Sequence, residues 1–138
     1  MIKQLSIFLE NKAGQLAKCL KLMADNEINV YSVSIVDNGD FGIIRFIVDD
    51  SEKALELFTK NNFTATLKEV IAVELDNEIG TLYRLSKLLA EKNINIQDSF
   101  GVINLNNEKG LFIFQVNNVI QAIKILEENQ YKIITTLF

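Results

Sequence analysis

The sequence predicts an α+β fold of two ferredoxin-like βαββαβ units, each with an antiparallel sheet, paired as a tandem repeat. Three observations lead to this prediction. The chain resembles itself when shifted by 66 residues, each half alternates between strand and helix spacing, and no linker rich in Gly, Ser or Pro separates the halves. We place the units at residues 1–67 and 68–138 and expect them to pack as a fixed pair.

The internal duplication is clearest between residues 9–32 and 75–98. Nine of these 24 positions are identical, and they include Asn11/Asn77, Gly14/Gly80 and Asn29/Asn95. Further along the chain the offset grows to 68. We assign the extra residues to an insertion confined to the hairpin turn at residues 104–108, since surface turns tolerate insertions.

The first strand and first helix of each unit follow from hydrophobic spacing. Apolar residues alternate in the strand, and after a Gly-containing loop they recur three or four residues apart, as in a helix. The first unit has Leu5, Ile7 and Leu9 in the strand and Leu16, Cys19, Leu20 and Met23 in the helix. The second unit has Ile71, Val73 and Leu75 in the strand and Leu82, Leu85 and Leu89 in the helix.

The remaining elements of each unit are a second strand, a turn, a third strand, a second helix and a short last strand. The turn residues Asp37 to Asp40 favour a hairpin. The predicted ranges are 28–30, 41–48, 52–60 and 63–67 in the first unit and 94–96, 111–116, 120–128 and 131–137 in the second. This order suits an antiparallel sheet with both helices on one face.

Both faces of the predicted third strand are apolar. Ile44, Phe46 and Val48, like Phe112, Phe114 and Val116, should face the helices. The opposite parity carries Ile43, Ile47, Leu111 and Ile113. A contiguous apolar surface usually marks a contact site, so we expect the second sheet face to be covered by the partner unit or by another chain.

The composition excludes several functional classes. The chain has no His and one Cys, which excludes His-based catalytic pairs and thiolate clusters, so we expect no metal and no cofactor. A net charge of −4 argues against nucleic acid. No apolar run is long enough for a membrane helix, and no cleavage site follows the N-terminal segment. We therefore expect a cytoplasmic protein that contacts no membrane.

The two Gly-containing loops are the candidate ligand sites. Gly14 and Gly80 each stand between the first strand and first helix, where free backbone N–H groups and the helix dipole favour an anion. With little Lys or Arg nearby, a small monocarboxylate fits better than a nucleotide. Asn29 and Asn95 are expected near the loops, where an amide could hold both ends of an amino acid. Asp98, Glu10 and Asp76 could attract the ammonium group.

These residues also have purely structural interpretations. Asn11 and Asn77 could cap helices, and Asn29 and Asn95 could supply the turn between helix and strand. Gly14 and Gly80 could serve merely to avoid backbone strain in the loop. Duplication would copy a cap as faithfully as a ligand contact, so both interpretations stay open at this point.

Both halves of the chain resemble ACT domains, which are βαββαβ modules that bind amino acids and regulate metabolic enzymes. The resemblance lies in residues 10–16 and 76–82, which are similar to the family's acidic-Asn-x-Pro-Gly-x-Leu loop, and in residues 28–30 and 94–96, similar to its Ile-Asn-Ile strand start. Ala13 and Ile79 stand where the family has Pro. The resemblance implies that effectors bind at the junction of two units, with the Gly loop of one unit facing the second strand of the other.

The sequence thus favours a non-enzymatic regulatory protein that binds a free amino acid and forms a homodimer. The predicted ligand-binding residues are Asn11, Ala13, Gly14, Gln15, Leu16, Asn29, Asn77, Ile79, Gly80, Thr81, Leu82, Asn95 and Asp98. One alternative is a structural or regulatory subunit that associates with an enzyme and binds no metabolite. An enzyme using Glu10, Asp76, Asp98 or Cys19 is disfavoured, because Cys19 is matched by Leu85 and is expected in the core.

Overall fold

The computed structural model describes residues 1–104 and 108–137, which form two compact units. Lys3–Lys68 make the first unit, and Glu69–Phe138 with Met1–Ile2 make the second. The elements of the first half are β1 (Ile2–Leu9), α1 (Gln15–Asp25), β2 (Val30–Asp37), β3 (Gly42–Val48) and α2 (Ser51–Lys60). Those that follow are β4 (Thr64–Asp76), α3 (Thr81–Glu91), β5 (Ile96–Asn104), β6 (Lys109–Val116), α4 (Val119–Glu128) and β7 (Lys132–Ile134).

In the first unit, β3 pairs antiparallel with both β1 and β2. Leu9 and Asp37 both lie opposite Gly42, so β1 and β2 end at the same edge of the sheet. The core lies between this sheet and the two helices. Its buried residues are Leu5, Ile7, Cys19, Met23, Ile28, Ile44, Phe46, Val48, Ala54 and Phe58.

The second unit repeats this arrangement, and its four strands follow the order β7-β4-β6-β5, all antiparallel. This is the ferredoxin-like order, in which the first strand lies between the third and the fourth. The α+β fold of tandem ferredoxin-like units is therefore confirmed. The buried core residues are Ile71, Val73, Leu75, Leu85, Leu89, Ile94, Phe114, Val116, Ala122, Ile125 and Leu126.

Several strand boundaries differ from the sequence prediction. The second strands begin at Val30 and Ile96 and run to Asp37 and Asn104, well beyond the three-residue segments predicted. The last strand of the first half is part of β4, a 13-residue strand that continues without a break past Lys68. At the chain end, the strand is only Lys132–Ile134.

The extra residues of the second repeat are not confined to its hairpin turn. In β2, residues 32–37 pair with residues 47–42 without interruption, whereas the register of β5 shifts between Ser99 and Gly101. Phe100 is therefore one extra residue, accommodated as a β-bulge. Residues 105–107 of the predicted insertion lie outside the described part of the chain.

Both faces of the third strands are largely buried. Phe46 and Phe114 belong to the cores against the helices, as predicted. On the opposite face, Ile47, Leu111 and Ile113 are also buried in this single chain, while Ile43 is half-buried. Among the described residues, no helix is both long enough and apolar enough to cross a membrane.

Candidate functional site

The two Gly-containing loops have nearly the same backbone. Gly14 precedes α1 with φ of 91°, and Gly80 precedes α3 with φ of 87°. This left-handed conformation is open to Gly at little cost, whereas other residues are strained in it. Each Gly is the N-cap residue, and neither helix has a side-chain cap.

The other two helices are capped in the usual way. Asp50 accepts a hydrogen bond from the Lys53 N–H at the start of α2, and Asn118 accepts one from Gln121 at the start of α4. By contrast, the described residues provide no acceptor for the N–H groups of Leu82 and Tyr83 in the first turn of α3. The N–H groups of Leu16 and Ala17 in the first turn of α1 likewise have no acceptor among the described residues. These groups favour an anionic ligand oxygen.

A cavity of about 280 Å³ lies at the second loop. It is lined by Leu75, Asp76, Asn77, Glu78, Gly80, Thr81, Leu82, Tyr83 and Gly110. Gly110 pairs with Leu75 across the sheet and both are buried, so the cavity borders the sheet at the end of β4. The volume is close to the lower end of the range found for small-molecule sites.

Thr81 and Arg84 add polar groups beside this cavity. The Thr81 side chain is buried, and its Oγ1 accepts a hydrogen bond of 3.2 Å from Arg84 Nη2. A hydroxyl also carries one donor hydrogen, so Thr81 can donate to a ligand. The guanidinium of Arg84 lies over Gly80, with Nη1 3.1 Å from the point where a Cβ would stand.

Two of the three acidic residues at the Gly loops, Asp76 and Glu10, are already in ion pairs. Asp76 pairs with Lys109, and this hydrogen bond raises the pKa of the Lys109 ammonium above its usual range. Glu10 pairs with Lys12 at 3.4 Å. Glu78, on the rim of the cavity, has no ion-pair partner among residues 1–104 and 108–137.

The structure does not bring Asn29 and Asn95 to the Gly loop of their own unit, and this expectation was wrong. β3 runs from Gly42, opposite Leu9, to Val48, opposite Val30. Asn29 therefore lies at the far end of the sheet, about 20 Å away at 3.3 Å per residue. The reason is that β1 and β2 run parallel, so the end of one and the start of the other lie at opposite edges.

Backbone hydrogen bonds hold these two asparagines in place. The Asn29 N–H donates to Asp49 Oδ1 at 3.0 Å, and Asn95 donates to Asn117 Oδ1 at 3.1 Å. Both asparagines are exposed. Asp98 lies at the same distant end of the second sheet, opposite Gln115, and its Oδ1 accepts from the Ser99 N–H.

Asn11 and Asn77 are not helix caps, which corrects the structural interpretation. The N-cap positions are Gly14 and Gly80, three residues later. Asn11 instead lies over Gly42, where an added Cβ would come within 2.9 Å of the Asn11 Cβ. The Asn77 N–H donates to the Glu108 carbonyl at 2.8 Å, and Asn77 also lines the cavity.

The predicted loop residues differ in their surroundings. Asn77, Gly80, Thr81 and Leu82 line the cavity together, whereas Ile79 is fully exposed. In the first loop, Ala13 is exposed, and Gln15 and Leu16 are half-buried. The prediction missed Leu75, Glu78, Tyr83 and Gly110 as lining residues. Two of them could have been noticed, since Glu78 and Tyr83 replace Lys12 and Ala17 of the first repeat.

Cys19 is confirmed as a core residue. Its side chain has no solvent exposure, and burial raises the pKa of its thiol, an effect that Lys18 only partly offsets. A buried protonated thiol is a poor nucleophile. No group of three or more His, Cys, Asp or Glu that could hold a metal occurs in the described part of the chain.

A family model described as "ACT domain pair" matches residues 1–136. Among solved structures, protein BT0572 from Bacteroides thetaiotaomicron is 31% identical with a TM-score of 0.89, over 96% of this chain and 91% of that one. The ligand-free regulatory subunit of aspartate kinase from Thermus thermophilus is 15% identical with a TM-score of 0.65, over 94% and 93%. The latter similarity concerns the fold alone. No curated protein sequence matches significantly.

Proposed function

Because the chain belongs to the ACT domain family, matched as a pair of domains over residues 1–136, we propose that it is a non-catalytic regulatory protein that binds a free amino acid. The ligand occupies a Gly loop, with its carboxylate at the uncapped start of a helix. The observation that supports this most directly is the cavity at Gly80, where free N–H groups and carboxylates meet. An amino acid presents the complementary pair of charges.

The proposal assigns the loop residues to ligand binding and gives the distant residues a conditional role. A glycine at the loop, Gly80 or its counterpart Gly14, allows close approach of a ligand, and Thr81 and Leu82 supply side chains at the second loop. Asn29, Asn95 and Asp98 lie at the opposite end of their own sheets, so they contribute only if another unit presents them to a loop. We also propose a cytoplasmic location and a homodimer, as the sequence suggested.

A thermal-shift screen of the twenty amino acids, followed by calorimetry, tests the proposal. One ligand at 100 times its Kd should add about 2.7 kcal/mol to the free energy of unfolding. Acetate and ethylamine, which each carry half of the charge pair, serve as controls and should give smaller shifts. If the folded protein binds no amino acid more tightly than about millimolar, the proposal fails.

A second candidate is a subunit that associates with an enzyme and binds no metabolite. It is favoured by exposed apolar residues on β2, where Val33, Ile35 and Val36 are between 39% and 46% exposed. Affinity purification from the native cell distinguishes the two candidates. A metabolic enzyme recovered at equal stoichiometry, together with a negative amino-acid screen, would establish the second candidate over the first.

A further inference from the structure

We propose that the loop at Gly80 is the amino-acid site of this chain, that the loop at Gly14 is not, and that the ligand carries a large apolar side chain. This inference rests on the proposed function and adds its location and ligand class. The two loops have similar backbones, but their side chains differ at matched positions.

The first difference is the charge that an amino acid's ammonium group would meet. Glu78 lines the cavity and has no ion-pair partner among the described residues. The matched residue of the first loop is Lys12, whose ammonium stands 3.4 Å from Glu10. An ammonium group is attracted by the carboxylate of Glu78, whereas the charges of Lys12 and Glu10 in the first loop largely cancel. The ammonium end therefore fits the loop at Gly80 better than the loop at Gly14.

The second difference is the apolar surface around the cavity. Three apolar side chains line the cavity: Leu75 is buried, while Leu82 and Tyr83 are 44% and 65% exposed. Ile79, next to the cavity, is 102% exposed. In the first loop, Ala17 and Ala13 replace Tyr83 and Ile79. Covering exposed apolar groups with an apolar ligand removes them from water and so stabilises the complex. These residues therefore favour a ligand with an apolar side chain.

The third difference is the position of the cation on the first helix. Arg84 lies over Gly80 and donates to the buried Thr81, so its positive charge stands beside the uncapped helix start. The matched Lys18 instead holds its Nζ 5.3 Å from the centre of the Phe63 ring. A Cβ at Gly14 would meet nothing within 4 Å. The carboxylate end of a ligand is therefore better supported at Gly80 as well.

The internal duplication provides matched variants for calorimetry. Tyr83→Ala and Glu78→Lys copy the first loop into the second, and Ala17→Tyr and Lys12→Glu are the reciprocal controls. With leucine and phenylalanine as probes, we expect one ligand per chain in the wild type. Each of the first two variants should weaken binding about tenfold or more, and neither control should change it more than about twofold. All four sites are exposed, and circular dichroism verifies folding.

Two measurements on the wild type need no variant. Amide NMR shifts on ligand addition should move at Leu82 and Tyr83 and stay unchanged at Leu16 and Ala17. Affinity should rise along the series glycine, alanine, valine, leucine, because each added methylene extends the apolar contact.

Distinct results would overturn this inference while the proposed function survives. They are two ligands per chain, shifts at Leu16 and Ala17, a loss of binding in Lys12→Glu or Ala17→Tyr, or tighter binding of serine or aspartate than of leucine. Binding of no amino acid at all by the folded wild type overturns the proposed function, and this inference with it.

Discussion

The two Gly loops have kept the same backbone conformation since the duplication, whereas their side chains have diverged. Gly14 and Gly80 differ by only 4° in φ, from 91° to 87°, and both precede helices without side-chain caps. The side chains at matched positions differ, however: Lys12 corresponds to Glu78, and Ala17 corresponds to Tyr83. The backbone is fixed because one conformation joins the strand to the helix. The side chains project from that backbone and were free to diverge, so the two loops need not bind the same molecule.

The largest expected effect compares the two cores. Phe58 and Leu126 occupy matched positions and are both fully buried, but Phe58 also forms aromatic pairs, with ring centroids 6.5 Å from Phe46 and 5.3 Å from Phe63. Phe58→Ala should lower the free energy of unfolding by about 3–5 kcal/mol, and Phe58→Leu, which copies the second unit, by under about 1.5 kcal/mol. Urea denaturation measures both. Equal losses would show that volume does not govern this position.

A smaller effect is expected from Ala at the two loop glycines. Gly14→Ala and Gly80→Ala should each cost about 1–2 kcal/mol of unfolding free energy, because both residues have positive φ. The new Cβ meets no atom at Gly14 but meets Arg84 at Gly80, so only Gly80→Ala should also reduce amino-acid affinity. Thermal denaturation and calorimetry separate the two effects. An affinity loss in Gly14→Ala alone would reverse the comparison.

The capped helices should respond similarly in both units. Asp50→Ala and Asn118→Ala each remove an acceptor from an N–H at the start of a helix, so each should cost about 1 kcal/mol. Glycine at the same positions should cost only a few tenths of a kcal/mol. Chemical denaturation checks both pairs. A cost near zero for either alanine variant would mean that its cap bond contributes no net stability.

The smallest effect concerns the exposed ion pair at the second loop. The pKa of Lys109 is raised by Asp76, so the pair stabilises the folded state at neutral pH. That contribution is lost as pH rises through the raised pKa, when the ammonium loses its proton. Lys109→Gln should therefore be slightly destabilised at neutral pH and indistinguishable from the wild type at strongly alkaline pH. Lys12→Gln, which removes the longer pair at 3.4 Å, is the control in the first loop.

The sequence predicted those parts of the fold that depend on local spacing. Alternation and helical period located β1, α1, α2 and their copies, because burying one face of an element requires apolar residues at a regular spacing in the sequence. Asn29 was misplaced because a strand's spacing does not say which end of the sheet it starts from. That information lies in the pairing of Leu9 and Val30 with opposite ends of β3. The cavity depended on Tyr83 and Glu78, which were visible only as differences between the copies.

The bulge at Phe100 makes the edge strand β5 of the second unit less regular than β2 of the first unit. Among the described strands, β2 and β5 each pair with one neighbouring strand only, so each forms an edge at which another strand could add. Bulges hinder such an edge from templating a strand of another molecule. β5 is interrupted twice, near Gln97 and at Phe100, whereas β2 is interrupted once, near Tyr31, and is regular from Ser32 to Asp37. Intermolecular strand addition, and with it aggregation on partial unfolding, is therefore favoured at β2 over β5.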